Sequence, residues 1–304
     1  MSGMTVKFWG TRGSIPTPGR TTEKFGGNTT CVEVRYEDTT IIFDAGSGIR
    51  ELGVALLDEA NGAPINAHIL FTHLHWDHIQ GFPFFGCGYV PRNSFTIWGA
   101  QRQNGGVQNL LSRQMDGDYF PIPLAAMQAD LSFKSIEDAF EIDNVRISTH
   151  PLPHPDGCMG YRVEAGDSVF VFATDSEFDK VALNQDEIAE DHSAARKYDE
   201  KLLKFLDRAT LLVIDCQYTD EIYKHRQGWG HNSIATVIDL CRQVKPNMLA
   251  LTHHDPQSSD DIVTTMAIDA SQRAHDLGLK SLVFAAREGM KFKVAKPTPP
   301  PALR

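Results

Sequence analysis

Residues 73–78, which read HLHWDH, place four potential metal ligands within six consecutive positions. The apolar segment 67–71 that precedes them is typical of a buried strand. His73 and His75 lie two positions apart, so an extended or turning backbone can direct both imidazoles to the same side. Imidazole nitrogens and carboxylate oxygens are ligands that zinc and related divalent cations accept. The spacing therefore predicts a metal site where this strand ends.

Further candidate ligands lie beside other apolar segments of the chain. Asp44 ends the run TTIIF, His154 lies in PLPHPDGC, Asp175 follows VFVFAT, and a histidine pair follows LALT. Taken alone, each has an ordinary explanation, because a histidine beside a strand can be a surface residue and an aspartate can cap a helix. Together they follow or precede predicted strands, so we expect their side chains to converge at one edge of a sheet.

Segment 73–78 resembles the H-x-H-x-D-H motif of the metallo-β-lactamase superfamily, and the later candidates occur in the order of that family. The resemblance implies ligands for two metal ions, which are His73, His75 and His154 for the first and Asp77, His78 and His253 for the second. It also implies that Asp175 bridges the two ions and that Asp44 orients the histidine loop from behind the ligands. His254 competes with His253; the family pattern favours His253, which directly follows Thr252, and leaves His254 behind the ligands or facing solvent.

The chemistry implied by this resemblance is hydrolysis at a pair of divalent cations. Two ions about 3.5 to 4 Å apart bind a bridging hydroxide, which attacks a phosphoryl or acyl centre at neutral pH. A donor set of imidazoles and carboxylates suits zinc best, with manganese or iron as the alternatives. We expect Asp77 and His231 to take part in catalysis, Asp77 as a ligand.

His231 lies in the segment GHNS that opens a predicted helix. This segment resembles the G-H-S/T segment of the tRNA 3′-processing endonuclease and related phosphodiesterases within the superfamily. The resemblance implies that His231 faces a phosphate, where an imidazole can stabilise the transition state or protonate the leaving alkoxide. The Gly-rich opening of the chain also resembles this branch, and it makes Arg12, Ser14 and Asn28 candidate anion contacts.

The net charge of the chain, and the absence of a segment that binds tRNA in the endonuclease, limit the classes of substrate that we expect. The chain has 29 basic and 39 acidic residues, a formal charge of −10, which disfavours duplex DNA and structured RNA. The long Gly- and Pro-rich arm that grips tRNA in that endonuclease has no evident counterpart, and segment 177–200 is acidic. Phe82 and Phe85 are candidates for the wall of a pocket that stacks on a flat base. We therefore expect a small phosphodiester, such as a cyclic nucleotide.

Three other functions stay open at this stage. The first is an acyl hydrolase, such as a lactonase, a β-lactamase or a thioesterase, which would not need His231. The second is a nuclease for short single-stranded RNA, whose binding would weaken as salt rises. The third is a metal-binding sensor protein with little turnover.

The elements that must position these residues form groups of strands with intervening helices. This order favours an α/β fold, a four-layer αββα sandwich. The predicted strands are 4–9, 30–35, 40–43, 67–71, 144–150, 161–164, 168–173, 211–214, 248–251 and 281–285, and the predicted helices lie within 46–61, 195–207, 233–242 and 260–276.

The chain of 304 residues is expected to form one metallohydrolase domain over residues 1–294, followed by a Pro-rich mobile tail over 295–304. The five cysteines lack a C-x-x-C pair, which predicts reduced, buried thiols. The first residues show no basic segment before an apolar run, and no long apolar run follows, so we expect a cytoplasmic protein without membrane contact. The sequence leaves the oligomeric state open, with a homodimer as the form the family resemblance favours.

Overall fold

The computed structural model describes residues 3–100, 106–191 and 194–295, and the fold of these residues is built on two seven-stranded sheets. The first sheet has the spatial order β14-β1-β2-β3-β4-β5-β6. Its strands are β1 (Met4–Gly10), β2 (Cys31–Tyr36), β3 (Thr39–Phe43), β4 (Asn66–Leu70), β5 (Ser94–Gly99), β6 (Asp130–Ser135) and β14 (Lys291–Val294). Pairing is antiparallel from β14 to β3 and parallel from β3 to β6.

The second sheet has the order β13-β12-β11-β10-β9-β8-β7. Its strands are β7 (Ala139–Ile142), β8 (Val145–Leu152), β9 (Cys158–Ala165), β10 (Ser168–Ala173), β11 (Leu211–Asp215), β12 (Met248–Thr252) and β13 (Leu282–Ala285). Strands β7 to β10 pair antiparallel and strands β10 to β13 pair parallel. Strands β10 to β12 are largely buried on both faces, as β11 shows with five buried residues, because helices cover the outside, whereas the edge strand β13 is partly exposed.

The inner faces of the two sheets pack directly on each other. Phe43 of the first sheet contacts the rings of Tyr161, Phe170 and Phe172 of the second, with centroids 5.4 to 5.5 Å apart. Alternating residues of β1 point into this central core and their neighbours are half-buried. Such packing holds the two sheets as one unit.

Helices form the two outer layers. They are α1 (Ile49–Ala60), α2 (Trp76–Ile79), α3 (Gly106–Gln114), α4 (Gln185–Glu190), α5 (Glu200–Leu206), α6 (Asp220–Tyr223), α7 (Ile234–Val244) and α8 (Asp260–Asp276). One outer core joins α1 to the first sheet, and another joins α5, α7 and α8 to the second. The four-layer αββα sandwich expected from the element order is therefore confirmed.

Helix α5 is shorter than the pattern over 195–207 predicts. It begins at Glu200, because the carboxylate of Asp199 accepts hydrogen bonds from the backbone N–H groups of Lys201 and Leu202. Arg196, inside the predicted helix, instead forms a two-bond ion pair with Asp179 at 2.9 and 3.0 Å. The cap at Asp199 and the ion pair of Arg196 therefore explain why the helix begins later than predicted.

Other expectations have mixed outcomes. The five cysteines are free and buried, as expected. No helix in the described segments is long and apolar enough to cross a bilayer. The expected tail over 295–304 falls, after its first residue, outside the described residues.

Candidate metal centre

The site forms where strands of both sheets end at one edge of the sandwich. Asp44 follows β3, Asp175 follows β10 by one residue, and His253 directly follows β12. All three have positive φ angles, of 60°, 54° and 57° respectively, which residues other than glycine adopt at a cost. The surrounding structure holds these residues in a sparsely populated backbone conformation, a feature that is concentrated at functional sites.

Three histidines form the first group of candidate metal ligands, called here the first ligand group. His75 Nδ1 lies 2.9 Å from His73 Nε2 and 3.1 Å from His154 Nε2. The other ring nitrogen of His154, Nδ1, donates a hydrogen bond to the carbonyl of Gly230 at 3.0 Å, so Nε2 is left with its lone pair directed at the other two rings. Three imidazole nitrogens thus share one small space that suits a divalent cation.

Two carboxylates and two imidazoles form the second ligand group. Asp77 Oδ2 lies 3.1 Å from His253 Nε2 and 3.3 Å from His78 Nε2. Asp175 Oδ2 lies 3.3 Å from each of the same two nitrogens. It also lies 3.7 Å from the Nε2 of His73, so its carboxylate stands between the two groups.

Asp44 holds the second group from behind. Its Oδ2 accepts a hydrogen bond from His78 Nδ1 at 2.8 Å, and its two oxygens accept from the backbone N–H and the hydroxyl of Thr72 at 2.8 and 2.9 Å. This contact directs His78 Nε2 toward Asp77 and Asp175. That nitrogen is buried and has no hydrogen-bond partner among the described residues. A metal ion would satisfy it, so the donor set fits a cation better than it fits an empty pocket.

The carboxylates and imidazoles of the site shift one another's pKa values. Burial alone would raise the pKa of Asp175, but the imidazoles of His253 and His78 outweigh it and hold that pKa well below its usual range. The pKa of Asp77 is likewise held well below its usual range, since His78 and His253 outweigh burial. Burial and the neighbouring imidazole of His78 lower the pKa of His73 well below its usual range. Ionised carboxylates and a neutral His73 are the forms that bind a cation. For His78 and His253, Asp175 and Asp77 outweigh burial and raise the pKa, so a bound cation would have to displace a proton from these rings.

His231 stands at the edge of both ligand groups. Its ring stacks on His253 with centroids 4.8 Å apart and lies 5.3 Å from the ring of His154. Its Nδ1 is 3.3 Å from Oδ2 of Asp215, the fully buried last residue of β11. The sequence analysis missed Asp215, although an apolar strand that ends in an aspartate is the same signal that singled out Asp44.

The turn before His231 is fixed by another residue that the sequence analysis missed. Glu177, which is buried, accepts hydrogen bonds from the backbone N–H groups of Gly228 and Gly230 at 2.7 and 3.0 Å. Gly230 has a φ of +89°, and a Cβ there would lie 2.3 Å from His154 Nδ1. Only glycine therefore allows the turn to approach His154 closely.

A cavity of about 440 Å³ opens over the ligands. Ser14 lines it, and the backbone N–H of Ser14 donates to Asp77 Oδ2 at 2.8 Å. Arg226 and Trp229, two residues not singled out from the sequence, also line the cavity; the guanidinium carbon of Arg226 lies 4.1 Å from the Trp229 ring centre. A basic group and an exposed aromatic ring thus stand beside the ligands.

Two of the expected anion contacts lie elsewhere, which corrects the prediction for Arg12 and Asn28. Arg12 is fully buried and donates to the carbonyls of Gly26, Asp255 and Ser258. The side chain of Asn28 donates to Glu288 and accepts from the hydroxyl of Ser47. Both side chains support loops around the site, and Nη2 of Arg12, which has no partner among the described residues, is buried.

The expected aromatic wall is also a correction. Phe82 and Phe85 are both 1% exposed and belong to the core between α1 and the first sheet, because the short helical turns after residue 81 direct them inward. His254 points away from the ligands, and its Nε2 donates to the carbonyl of Ala286 at 2.9 Å. Of the histidine pair, His253 is the residue that enters the site.

The chain matches the model of the "Beta-lactamase superfamily domain" over residues 39–254. A protein from Haloarcula marismortui named ribonuclease Z is 22% identical over 331 aligned positions, which cover 97% of this chain and 98% of that protein. Two solved structures share the fold. The metallo-beta-lactamase fold protein YhfI from Bacillus subtilis has a TM-score of 0.68 and 15% identity, and covers 96% of this chain and 99% of its own. Unliganded yeast PDE1 has a TM-score of 0.66, 16% identity and the same coverage.

Proposed function

The chain belongs to the β-lactamase superfamily, and from this premise we propose that this metal-dependent hydrolase cleaves a small phosphodiester, such as a cyclic nucleotide. The observation that carries the proposal is His231, which stacks on His253 beside the ligand groups and is backed by the carboxylate of Asp215. An acyl hydrolase has no need of this residue.

The seven ligand side chains would hold two divalent cations. Zinc is the proposed metal, with manganese or iron as the alternatives, because the donors are imidazole nitrogens and carboxylate oxygens. When bound, such a pair supplies Lewis acidity and lowers the pKa of water, so that a hydroxide nucleophile is present at neutral pH.

The protein's own residues would orient the substrate and move a proton. Because Nδ1 of His231 faces Asp215, its Nε2 is the atom left for a substrate oxygen, either to stabilise developing charge or to protonate the leaving alkoxide. Arg226 would contact the phosphate from the mouth of the cavity, where its guanidinium packs against the ring of Trp229. The cavity of about 440 Å³ suits a ligand of nucleotide size.

A second candidate is a nuclease for short single-stranded RNA. It is favoured by the relative named ribonuclease Z, which aligns over 98% of its length. The formal charge of −10 and the acidic residues around α4 argue against it, since RNA binding relies on basic surface. Both candidate functions would use the same metal ligands, so a comparison of turnover on different substrates is needed to distinguish them.

The test is a turnover panel on the zinc-loaded protein. The substrates are bis(p-nitrophenyl) phosphate, 2′,3′- and 3′,5′-cyclic nucleotides, a short RNA with a 3′ extension, a lactone and nitrocefin. We expect phosphodiester turnover that falls about 10²- to 10⁴-fold in His231→Ala and is unchanged in His275→Ala, a control on the exposed end of α8.

Each other outcome assigns a different function. Lactone or nitrocefin turnover that is insensitive to His231→Ala would make the protein an acyl hydrolase. Preferred cleavage of the RNA, weakened by salt, would make it a nuclease. Bound metal without turnover of any substrate would favour the sensor protein.

A further inference from the structure

A second cavity, of about 600 Å³, lies next to the metal centre. We call it the aromatic groove; its walls include Trp76, Phe84, Leu110, Arg113, Tyr119 and Phe120. Phe84 and Phe120 meet edge to face with their ring centres 5.3 Å apart. The groove therefore presents a preformed set of aromatic surfaces.

Several aromatic side chains of the groove are exposed to solvent. Trp76 is 72% exposed, Phe84 is 58% exposed and Tyr119 is 80% exposed. Single exposed apolar residues are ordinary, but a contiguous group of aromatic rings on a concave surface marks a binding site.

The groove is continuous with the cavity over the metal ligands, because Trp76 lines both. Trp76 lies on α2 between His75 and Asp77, so one short helix presents its ring to the groove while its neighbour Asp77 joins the ligands. Gln114 of α3 donates a hydrogen bond to the carbonyl of Ile79 at 3.0 Å, which ties the far wall of the groove to the same helix. A molecule at the metal centre can therefore extend past Trp76 into the groove.

The charge of the groove fits an anionic ligand. Arg113 is the basic residue among its lining residues in the described chain, and no acidic residue lines it. The lining of the groove is therefore basic, whereas the chain as a whole has a formal charge of −10. A guanidinium beside aromatic rings suits a ligand that combines a flat apolar part with negative charge.

We propose that the aromatic groove is a subsite for a flat aromatic group carried by the phosphoester substrate. The proposal rests on the proposed function, since it places the phosphoryl group at the metal centre and the aromatic group between Trp76, Phe84 and Tyr119. Aromatic walls favour stacked or edge-to-face rings over a flexible alkyl chain, and Arg113 adds a positive charge to the lining of the groove. The groove thus selects among phosphoesters by the group that does not react.

The test measures equilibrium binding of 1-naphthyl phosphate and of inorganic phosphate to the zinc-loaded protein by calorimetry. We expect 1-naphthyl phosphate to bind at least ten-fold more tightly than inorganic phosphate. The double variant Phe84→Ala, Tyr119→Ala should lose this preference and bind inorganic phosphate as the unchanged protein does. Both side chains are exposed and make no contact with the ligands, so the variant should fold, and Ile268→Ala, at an equally exposed residue of α8, is the control.

Several results would overturn the proposal. A naphthyl preference that persists in the double variant, or that is absent in the unchanged protein, would exclude the groove as the subsite. A dimer in the unchanged protein that becomes a monomer in the double variant, seen by sedimentation, would make the groove a subunit interface instead. A separate measurement tests the proposed function: if the unchanged protein does not turn over bis(p-nitrophenyl) phosphate, the proposed function is wrong.

Discussion

The Nδ1 atom of His231 lies 3.3 Å from Oδ2 of Asp215, a carboxylate with no exposed surface. Asp215 is itself fixed by four donors, which are the backbone N–H groups of Ser176 and Asn232, the hydroxyl of Ser176 and the amide of Asn232. The carboxylate therefore cannot turn away from the imidazole. A fixed carboxylate therefore stands beside His231 before a substrate arrives, although Nδ1 itself makes no hydrogen bond to the described residues.

We predict that Asp215→Asn lowers kcat by about 10- to 100-fold while leaving the metal content unchanged. The amide cannot stabilise a charged imidazole, and it presents an N–H group to donors that need an acceptor, which costs about 1 to 3 kcal/mol of stability. Turnover, elemental analysis and urea unfolding measure the three effects. Asp276→Asn, an exposed change, is the control. A variant with full turnover would show that Asp215 has a structural role alone.

Glu177 provides a second prediction, because it holds the turn that carries His231. Glu177→Gln places an N–H group beside the backbone donors of Gly228 and Gly230 and should cost about 2 to 3 kcal/mol of unfolding free energy. The freed turn should also lower kcat, since Gly230 positions both His154 and His231. Urea unfolding and turnover, compared with the exposed change Glu190→Gln, test this. Equal stability of the two variants would contradict it.

Removal of metal should destabilise the protein. Without a cation, His78 Nε2 stays buried and unsatisfied, and the carboxylates of Asp77 and Asp175 stay close together. A ligand that binds only the folded state at 1,000 times its Kd adds about 4 kcal/mol, so treatment with EDTA should lower Tm by several degrees and zinc should restore it. Scanning calorimetry measures the shift. A Tm that does not respond to either reagent would argue against a bound metal.

The clustering of the candidate ligands in segment 73–78 could be predicted from the sequence because these residues are neighbours along the chain. The spacing within 73–78 and the strand before it suffice. The bounds predicted for helix α8, 260–276, also agree with the structure, where Ser259 caps the first turn. Strand β6 was missed, since its residues alternate between half-buried and exposed without a strong apolar face. Helix α3 was also missed; it has nine residues, of which only Val107 and Leu111 are buried.

The side chains around the ligands were harder to predict, for a physical reason. Arg12 donates to carbonyls at positions 255 and 258, more than 240 residues away, and no local pattern reveals such contacts. The inward direction of Phe82 likewise depends on the helical turn that follows the ligands. Residue types showed which chemistry the chain can do, whereas long-range packing decided which polar residues stay free for a substrate.

Asp175 should control the occupancy of both ligand groups. Its Oδ2 lies 3.3 Å from His78 Nε2 and 3.8 Å from His154 Nε2, so it is shared between them. We predict that Asp175→Asn, which preserves the shape of the side chain, lowers the metal content from about two per chain to one or none. Elemental analysis after gel filtration measures this, with Asp186→Asn on α4 as the control. Two metals retained at unchanged affinity would exclude a bridging role.

Substitution of Arg12 separates a structural role of this residue from a role as an anion contact. Its guanidinium is buried and donates to three backbone carbonyls, so Arg12→Lys, with a single ammonium group, leaves some of them unsatisfied and should cost about 2 to 3 kcal/mol. The KM for a phosphodiester should change less than three-fold, because the guanidinium has no access to the cavity over the ligands. Arg20→Lys, at an exposed residue of the same loop, is the control for both measurements. An anion contact would give the opposite pattern, with KM raised at least ten-fold and stability unchanged, and that result would return Arg12 to the substrate site.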